Sequence, residues 1–184
     1  FMYSVWESNL NTHKFNKLNK DIKTDVLIIG GGITGILCAH ALKNAGIDYV
    51  LAEAETIGNG ITKNTTAKIT SQHGLIYDKI IKKYGEEKAR MYLEANNNAL
   101  KNYIELCKNI DCDFETKDSY VYSINNTTKI ENEMKALNKL GFDAQFENKL
   151  NIPLTVAGAI KFKNQAQFNP LKFLSEISQK LKIF

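Results

Sequence analysis

The sequence predicts an α/β protein in which one parallel βαβ unit is followed by a mixed α+β region. A short apolar run at residues 26–29 passes through a glycine cluster into helix formers, and a second apolar run follows at 49–51. Strand, tight turn, helix and strand within about 30 residues form a βαβ unit, whose right-handed crossover makes the strands parallel. No second set of such strands follows, so the rest of the chain is expected to be α+β.

The composition is that of an ordinary soluble globular protein. No apolar run in the 184 residues approaches the roughly 20 that a membrane span needs, and no leader segment precedes the first strand, so a cytoplasmic location is expected. The net charge of +4 comes from scattered lysines, with Arg90 the only arginine, which disfavours nucleic-acid binding. Cys38, Cys107 and Cys112 fit neither a metal site nor a disulfide framework, so each is expected to be a small buried hydrophobe.

The first elements follow from the apolar pattern. Residues 1–24 form a polar arm whose aromatic end, with Tyr3 and Trp6, is expected to dock on the body. The run at 26–29 is typical of a strand buried on both faces, as parallel sheets require. A helix is predicted at 35–44, and the side chains expected to face inward are Leu37, Cys38 and Ala41.

The later elements are predicted with the same rules. A long Gly/Thr/Asn loop, 56–74, replaces the helix that a repeated βα pattern would give. Thr128 and Glu131 have the spacing of a capping box, which predicts a helix start. Tyr120 and Tyr122 could face a substrate cavity, but their alternation favours a packing role. Further helices are predicted at 76–83, 87–108, 128–140 and from Asn169-Pro170, and further strands at 113–114, 120–124, 142–146 and 157–162.

The glycine cluster has the spacing of a dinucleotide-binding turn. Gly30 permits the tight turn, Gly32 lets a pyrophosphate approach the backbone, and Gly35 lets helix and strand pack closely. Glu53 ends the second strand, where an acidic side chain is expected to bond ribose hydroxyls. It disfavours NADP by repelling a 2′-phosphate, while the turn alone leaves NAD, FAD and a ligand-free βα turn open.

The stretches IIGGGITGILCAHALKNAGIDYVLAEAE and IGNGITKNTTAKITSQHG resemble the FAD-dependent amine and amino-acid oxidoreductases of the D-amino-acid oxidase, glycine oxidase and sarcosine oxidase group. The subgroup with a TTAK loop and an aromatic arm, here SVWES, is the most similar, and some of its members carry a C-terminal Rieske domain. CDFETKDSYVYS resembles the family's first substrate-domain strands, and QFNPLKFLSEISQKL a later helix. The resemblance implies a Rossmann-like FAD-binding unit followed by part of a substrate domain.

The resemblance also implies which residues meet the cofactor. Lys68 would stabilise the anionic reduced flavin by its charge, and His73 is the other polar group of interest there, although both also have the simpler interpretation of exposed loop residues. The expected positions are Gly30, Gly32, Ile33, Thr34 and Gly35 at the pyrophosphate, Glu53 and Ala54 at the ribose, and Gly60, Ile61, Thr62, Thr66, Ala67 and Lys68 beside the pyrophosphate and flavin. No catalytic base is assigned.

The predicted organisation is an arm at 1–24, an FAD-binding unit with its loop at 25–75, a partial substrate domain at 76–168, and a helix at 169–184 that returns to the FAD-binding domain. The family's next strand would begin at 182–184 and its later motifs are missing, so a truncated N-terminal part of an FAD oxidoreductase acting on a small amine or amino acid is expected. Two alternatives stay open: a non-catalytic fragment or subunit that needs a partner chain, and a small NAD-binding module.

Overall fold

A computed structural model describes residues 4–7 and 14–184 of the chain. Tyr3 and the middle of the predicted arm lie outside the described residues. The chain forms two compact units. The first contains the described residues up to Ala67 together with Asn109–Phe114 and Phe168–Phe184, and the second contains Lys68–Lys108 and Glu115–Gln167.

The first unit contains the predicted βαβ arrangement. Strands β1 and β2 pair in parallel, with Val26 opposite Tyr49 and Ile29 opposite Ala52. The backbone of Leu51 also bonds the chain's end, since its N–H donates to Lys182 O at 3.1 Å and its carbonyl accepts from Phe184 N at 2.9 Å. Leu51 and Ile183 therefore form an isolated parallel β-bridge, at the position where the resemblance implies the next strand. The elements of this unit are β1 (Val26–Ile29), α1 (Ile33–Asn44), β2 (Tyr49–Ala52), a 3₁₀ turn (Ile61–Asn64) and α5 (Pro170–Ser178).

The prediction that β1 is buried on both faces is wrong for this chain. Ile28 faces α1, because a Cβ at Gly35 would lie 3.4 Å from its Cγ2. The alternate side chains of Leu27 and Ile29 point to the other face and are 58% and 83% exposed. Only the α1 side of β1 is therefore covered within the described residues.

The inward face of α1 also differs from the prediction. Ile36 and Ala39 are fully buried, whereas Cys38 and Ala41 are exposed. Apolar residues occur all round this helix, so periodicity does not select one face. Cys107 and Cys112 are buried as predicted.

The second unit is an antiparallel sheet covered by helices. Strand β6 pairs with β4 along its length and with β3 and β5 at its two ends. Tyr77, Leu93, Ile130, Ile160 and Phe162 form the centre of its core. The elements are β3 (Lys68–Ile69), α2 (Tyr77–Tyr84), α3 (Glu86–Cys107), β4 (Glu115–Ser123), α4 (Thr128–Lys139), β5 (Gln145–Glu147) and β6 (Gly158–Gln167).

Three local predictions for the later chain can be compared with the structure. The prediction of a strand at 113–114 is wrong, since Asp113 has a φ of +52° and β4 begins at Glu115. The prediction of a capping box between Thr128 and Glu131 is wrong, because no side chain of that pair caps α4. The Thr128 N–H donates to the Asn126 side chain at 2.9 Å. The cap at Asn169 is confirmed: its Oδ1 accepts from the N–H groups of Leu171 and Lys172.

The packing role predicted for Tyr120 and Tyr122 is wrong within this chain. The two side chains are 41% and 43% exposed and lie on one face of β4. Lys161 pairs with Tyr120 in the ladder, and its ammonium lies 5.7 Å from the Tyr120 ring centroid. None of the helices in the described part of the chain is long and apolar enough to cross a membrane.

Candidate functional site

The turn between β1 and α1 is built by glycine. Gly30 has a φ of +104°, which favours glycine, and its N–H continues the ladder by donating to Ala52 O at 2.8 Å. A Cβ at Gly35 would lie 2.0 Å from Gly30 O, so only glycine lets the helix start this close to the strand. The spacing of the two glycines is therefore required by backbone geometry.

Glu53 reaches this turn from the end of β2. One carboxylate oxygen accepts the Gly31 N–H at 2.5 Å, and the other accepts the Glu55 N–H at 2.9 Å. The side chain is half-buried, so the carboxylate remains accessible beside the turn. The two sequence signals, glycine turn and acid, thus meet in space. Sequence reasoning did not identify Gly31 as the contact.

The loop after β2 folds back onto the same turn. Thr62 is buried, and its Oγ1 accepts the Ile33 N–H at 3.2 Å at the start of α1. Gly58 N–H donates to Gly31 O at 3.0 Å. The first α1 ladder bond runs from Ile36 N to Gly32 O, so the preceding amides and the positive end of the helix dipole face the loop. Backbone N–H groups and a threonine hydroxyl are therefore gathered at one helix N-terminus.

The N-terminal arm is attached to this loop. The Ser4 hydroxyl donates to Lys63 O, and the Trp6 indole N–H donates to Thr65 O at 3.0 Å. Docking of the arm's aromatic end was predicted, and for Trp6 it is confirmed. The partner segment was not predictable, because nothing in the sequence pairs residue 6 with residue 65.

The structure does not gather every predicted site residue. Lys68 and His73 are exposed and belong to the second unit, where the Tyr92 hydroxyl lies 2.9 Å from His73 Nδ1. Ala67 is buried with a φ of +56°, and its carbonyl accepts from Phe168 N at 3.3 Å. Their contact with a cofactor stays a prediction. Contact with a cofactor also stays a prediction for five further exposed residues: Thr34, Ala54, Gly60, Ile61 and Thr66.

A second carboxylate that the sequence did not point to lies in the second unit. Glu133 on α4 is 2% exposed, and its oxygens accept the N–H groups of Tyr77 and Asp78 at 2.9 and 2.8 Å. Burial raises the pKa of the Glu133 carboxyl, while the backbone N–H bonds oppose that rise. Burial also raises the pKa of Tyr77, whose hydroxyl donates to Ser71 O at 2.5 Å. Glu133 caps α2 from outside that helix.

The turn offers the room and the donors that the ADP half of FAD requires. A Cβ atom added at Gly32 would have one neighbour within 4 Å, Thr62 Oγ1 at 3.6 Å. A ligand can therefore approach the Gly32 backbone closely. N–H groups at a helix N-terminus suit a pyrophosphate, and the Glu53 carboxylate suits ribose hydroxyls. Within residues 4–7 and 14–184, no group of three or more His, Cys, Asp and Glu side chains could hold a metal ion.

A parallel βαβ unit with a glycine turn and an acid at the end of its second strand defines the class of dinucleotide-binding proteins. The family model "FAD dependent oxidoreductase" (DAO) matches residues 25–182. The chain belongs to this family, which confirms the resemblance seen in the sequence.

Two relatives and one solved structure illustrate the likeness. YhfW of Bacillus subtilis (strain 168), named provisionally as a Rieske 2Fe-2S iron-sulfur protein, is 41% identical over 183 residues, which cover 97% of this chain and 36% of that protein. Gamma-glutamylputrescine oxidoreductase of Escherichia coli (strain K12) is 39% identical over 77 residues, 42% of this chain and 18% of that one. Glycine oxidase of Geobacillus kaustophilus shares the fold, with a TM-score of 0.66 and 17% identity over 88% of this chain and 45% of that chain. The chain spans about a third of the length of YhfW.

Proposed function

We propose that this chain is the N-terminal portion of an FAD-dependent oxidoreductase that oxidises an amine or amino-acid substrate. The observation that carries the proposal is the meeting of the Glu53 carboxylate with the glycine turn at Gly31, in a chain of the FAD dependent oxidoreductase family. This arrangement supplies an anion site and a hydroxyl acceptor side by side. Family membership favours FAD over the NAD-binding alternative.

Each residue at the turn has a distinct task in this proposal. Gly32 and Thr34 present backbone N–H groups to the pyrophosphate, and Thr62, whose Oγ1 accepts the Ile33 N–H, places its hydroxyl beside them. Glu53 holds the ribose hydroxyls by charge-assisted hydrogen bonds. Bound FAD supplies the acceptor for the hydride equivalent that leaves the amine-bearing carbon of the substrate. The protein contributes binding and orientation.

The substrate class is inferred from the relatives. Gamma-glutamylputrescine and glycine, named for two of the similar proteins, both carry an amine nitrogen. Because the chain spans only part of these proteins, the groups that recognise the substrate are not assigned. Lys68, with its charge, remains the proposed stabiliser of the reduced flavin.

Flavin absorbance tests the proposal directly. The purified chain is mixed with FAD, freed of unbound cofactor and scanned in the visible range, beside the product of the complete open reading frame. A yellow product that is bleached anaerobically by an amine or amino acid supports the proposal. A longer product that binds no flavin overturns it, and a colourless 184-residue chain beside a yellow longer product shows that the chain needs a further segment or a partner chain.

A further inference from the structure

The first unit contains a cavity of about 370 Å³ beside Glu53. Its walls come from three segments: residues 15–18 of the N-terminal arm, residues 52–57 from the last residue of β2 onward, and Ile183 with Phe184, next to the bridge to Leu51. The volume lies in the range of small-molecule pockets, about 300–1,000 Å³. All three segments belong to the same compact unit.

The lining changes from apolar to charged across the cavity. Phe15 and Leu18 of the arm contribute one apolar wall, and Ile57 and Phe184 contribute apolar surface from the body. Glu53, whose carboxylate already bonds the glycine turn, lies at the polar side. Adenosine matches both sides of this lining. Its flat base prefers apolar and aromatic contacts, and its ribose hydroxyls prefer a carboxylate.

We infer that Phe15 and Leu18 of the N-terminal arm form one wall of the adenosine site and contact the adenine base of the cofactor. The inference rests on the proposed function, because it requires that the turn binds an ADP-containing cofactor. The glycine motif itself says nothing about the arm, which lies before β1. Leu18 is 49% exposed, so a bound base would cover apolar surface that now faces water.

The arm also contacts the loop at the other side of the turn. Ser4 and Trp6 bond the carbonyls of Lys63 and Thr65, next to Thr62 at the start of α1. The described parts of the arm thus meet both the loop beside the proposed pyrophosphate site and the cavity beside Glu53. One segment therefore contributes to two parts of the cofactor site.

Calorimetric titration of ADP into the full 184-residue chain tests the inference without the flavin and without activity. Phe15→Ala should weaken ADP binding about tenfold, and Leu18→Ala about threefold, because each removes apolar contact with the base. Phe15→Leu should recover part of the loss. Tyr84→Ala is the matched control, since it removes an exposed aromatic ring from the second unit and should leave ADP affinity unchanged.

Hydrogen exchange gives a second measurement that requires no variant. Bound ADP should slow the exchange of amides at residues 14–18 of the wild-type chain. Unchanged affinity in Phe15→Ala and Leu18→Ala, with no added protection at 14–18, overturns the inference while the proposed function stands. A wild-type chain that binds neither ADP nor FAD overturns the inference, and a longer product that also binds no flavin overturns the proposed function as well.

Discussion

Two glutamates in this chain do the same local chemistry in different surroundings. Glu53 in the first unit accepts the N–H groups of Gly31 and Glu55, and Glu133 in the second unit accepts those of Tyr77 and Asp78. Glu53 is half-buried beside an open turn, whereas Glu133 is 2% exposed. Under the proposed function, the accessible carboxylate of Glu53 serves a ligand, whereas the buried carboxylate of Glu133 serves only the fold.

Access to solvent decides between these two roles. A carboxylate beside an open turn can exchange its backbone contacts for ligand hydroxyls at little cost. A carboxylate buried at a helix N-terminus has no other partner to bond, and its removal leaves backbone N–H groups unsatisfied. Substitution of each glutamate should therefore change a different property of the protein.

The largest effect is expected from Glu133→Ala. It leaves the N–H groups of Tyr77 and Asp78 without their acceptor inside the core, which should cost about 3 kcal/mol in the free energy of unfolding. Urea unfolding followed by circular dichroism measures the loss. Glu131→Ala, an exposed glutamate on the same helix, is the control and should change stability by about 0.5 kcal/mol or less. Equal losses in the two variants would contradict a structural role for Glu133.

The second effect is expected in binding. Glu53→Ala should weaken ADP or FAD binding about thirtyfold, since a hydrogen bond to a charged group contributes about 1.5–3 kcal/mol. Stability should fall by about 1 kcal/mol, because the Gly31 N–H can bond water instead. Titration calorimetry and urea unfolding separate the two quantities. Glu94→Ala, at an exposed position on α3 in the second unit, should leave both nearly unchanged, and a binding loss of the same size there would remove the distinction.

Sequence reasoning succeeded for the glycine turn because its constraints are local. Gly30, Gly35 and Glu53 are each required by backbone geometry or by strand length, and these can be counted along the chain. The parallel pairing of β1 with β2 and the cap of α5 at Asn169 are local in the same sense. The family resemblance then selected FAD over NAD, which spacing alone does not do.

Sequence reasoning failed where partners are distant in the chain. The bond of Glu133 to Tyr77 joins residues 56 positions apart, and no spacing rule connects them. The same holds for Trp6 with Thr65, and for the wall that Phe15 contributes to the cavity. The burial of Leu27 and Ile29 was predicted from a continuous apolar run, and the packing of Tyr120 from alternation. Such patterns show which side chains are apolar but not whether this chain covers them.

A smaller effect is expected at the loop side of the turn. Thr62→Val removes the hydroxyl that accepts the Ile33 N–H, and a lost helix cap costs about 1 kcal/mol. Affinity for ADP should fall about fivefold, because the substitution also removes a proposed pyrophosphate donor. Thr62→Ser keeps the hydroxyl and serves as the control. A Val variant that binds ADP as well as the Ser variant would place the hydroxyl outside the ligand site.

The smallest effect is expected in the pH dependence of stability that Glu133 causes. Its folded-state pKa is raised by burial above the ordinary value of 4.5, so the unfolded state releases the proton first as pH rises. The stability it contributes is therefore fully present below pH 4.5 and is lost as pH rises through the folded pKa. Four other carboxyls have the opposite pH dependence, because lysine partners lower their pKa values: Asp48, Glu86, Asp113 and Asp118. The stability that these groups contribute to the fold is lost as pH falls.

The contribution of Glu133 can be isolated by comparison with Glu133→Gln, which stays neutral at every pH while the other acids titrate equally in both proteins. The wild-type chain should lose stability relative to this variant as pH rises from 4 toward 7, measured as the difference between urea midpoints at each pH. A difference that instead grows in favour of the wild type would mean that the N–H bonds of Tyr77 and Asp78 outweigh burial. Glu133 would then be an acceptor whose charged form is stabilised by backbone N–H groups despite its burial.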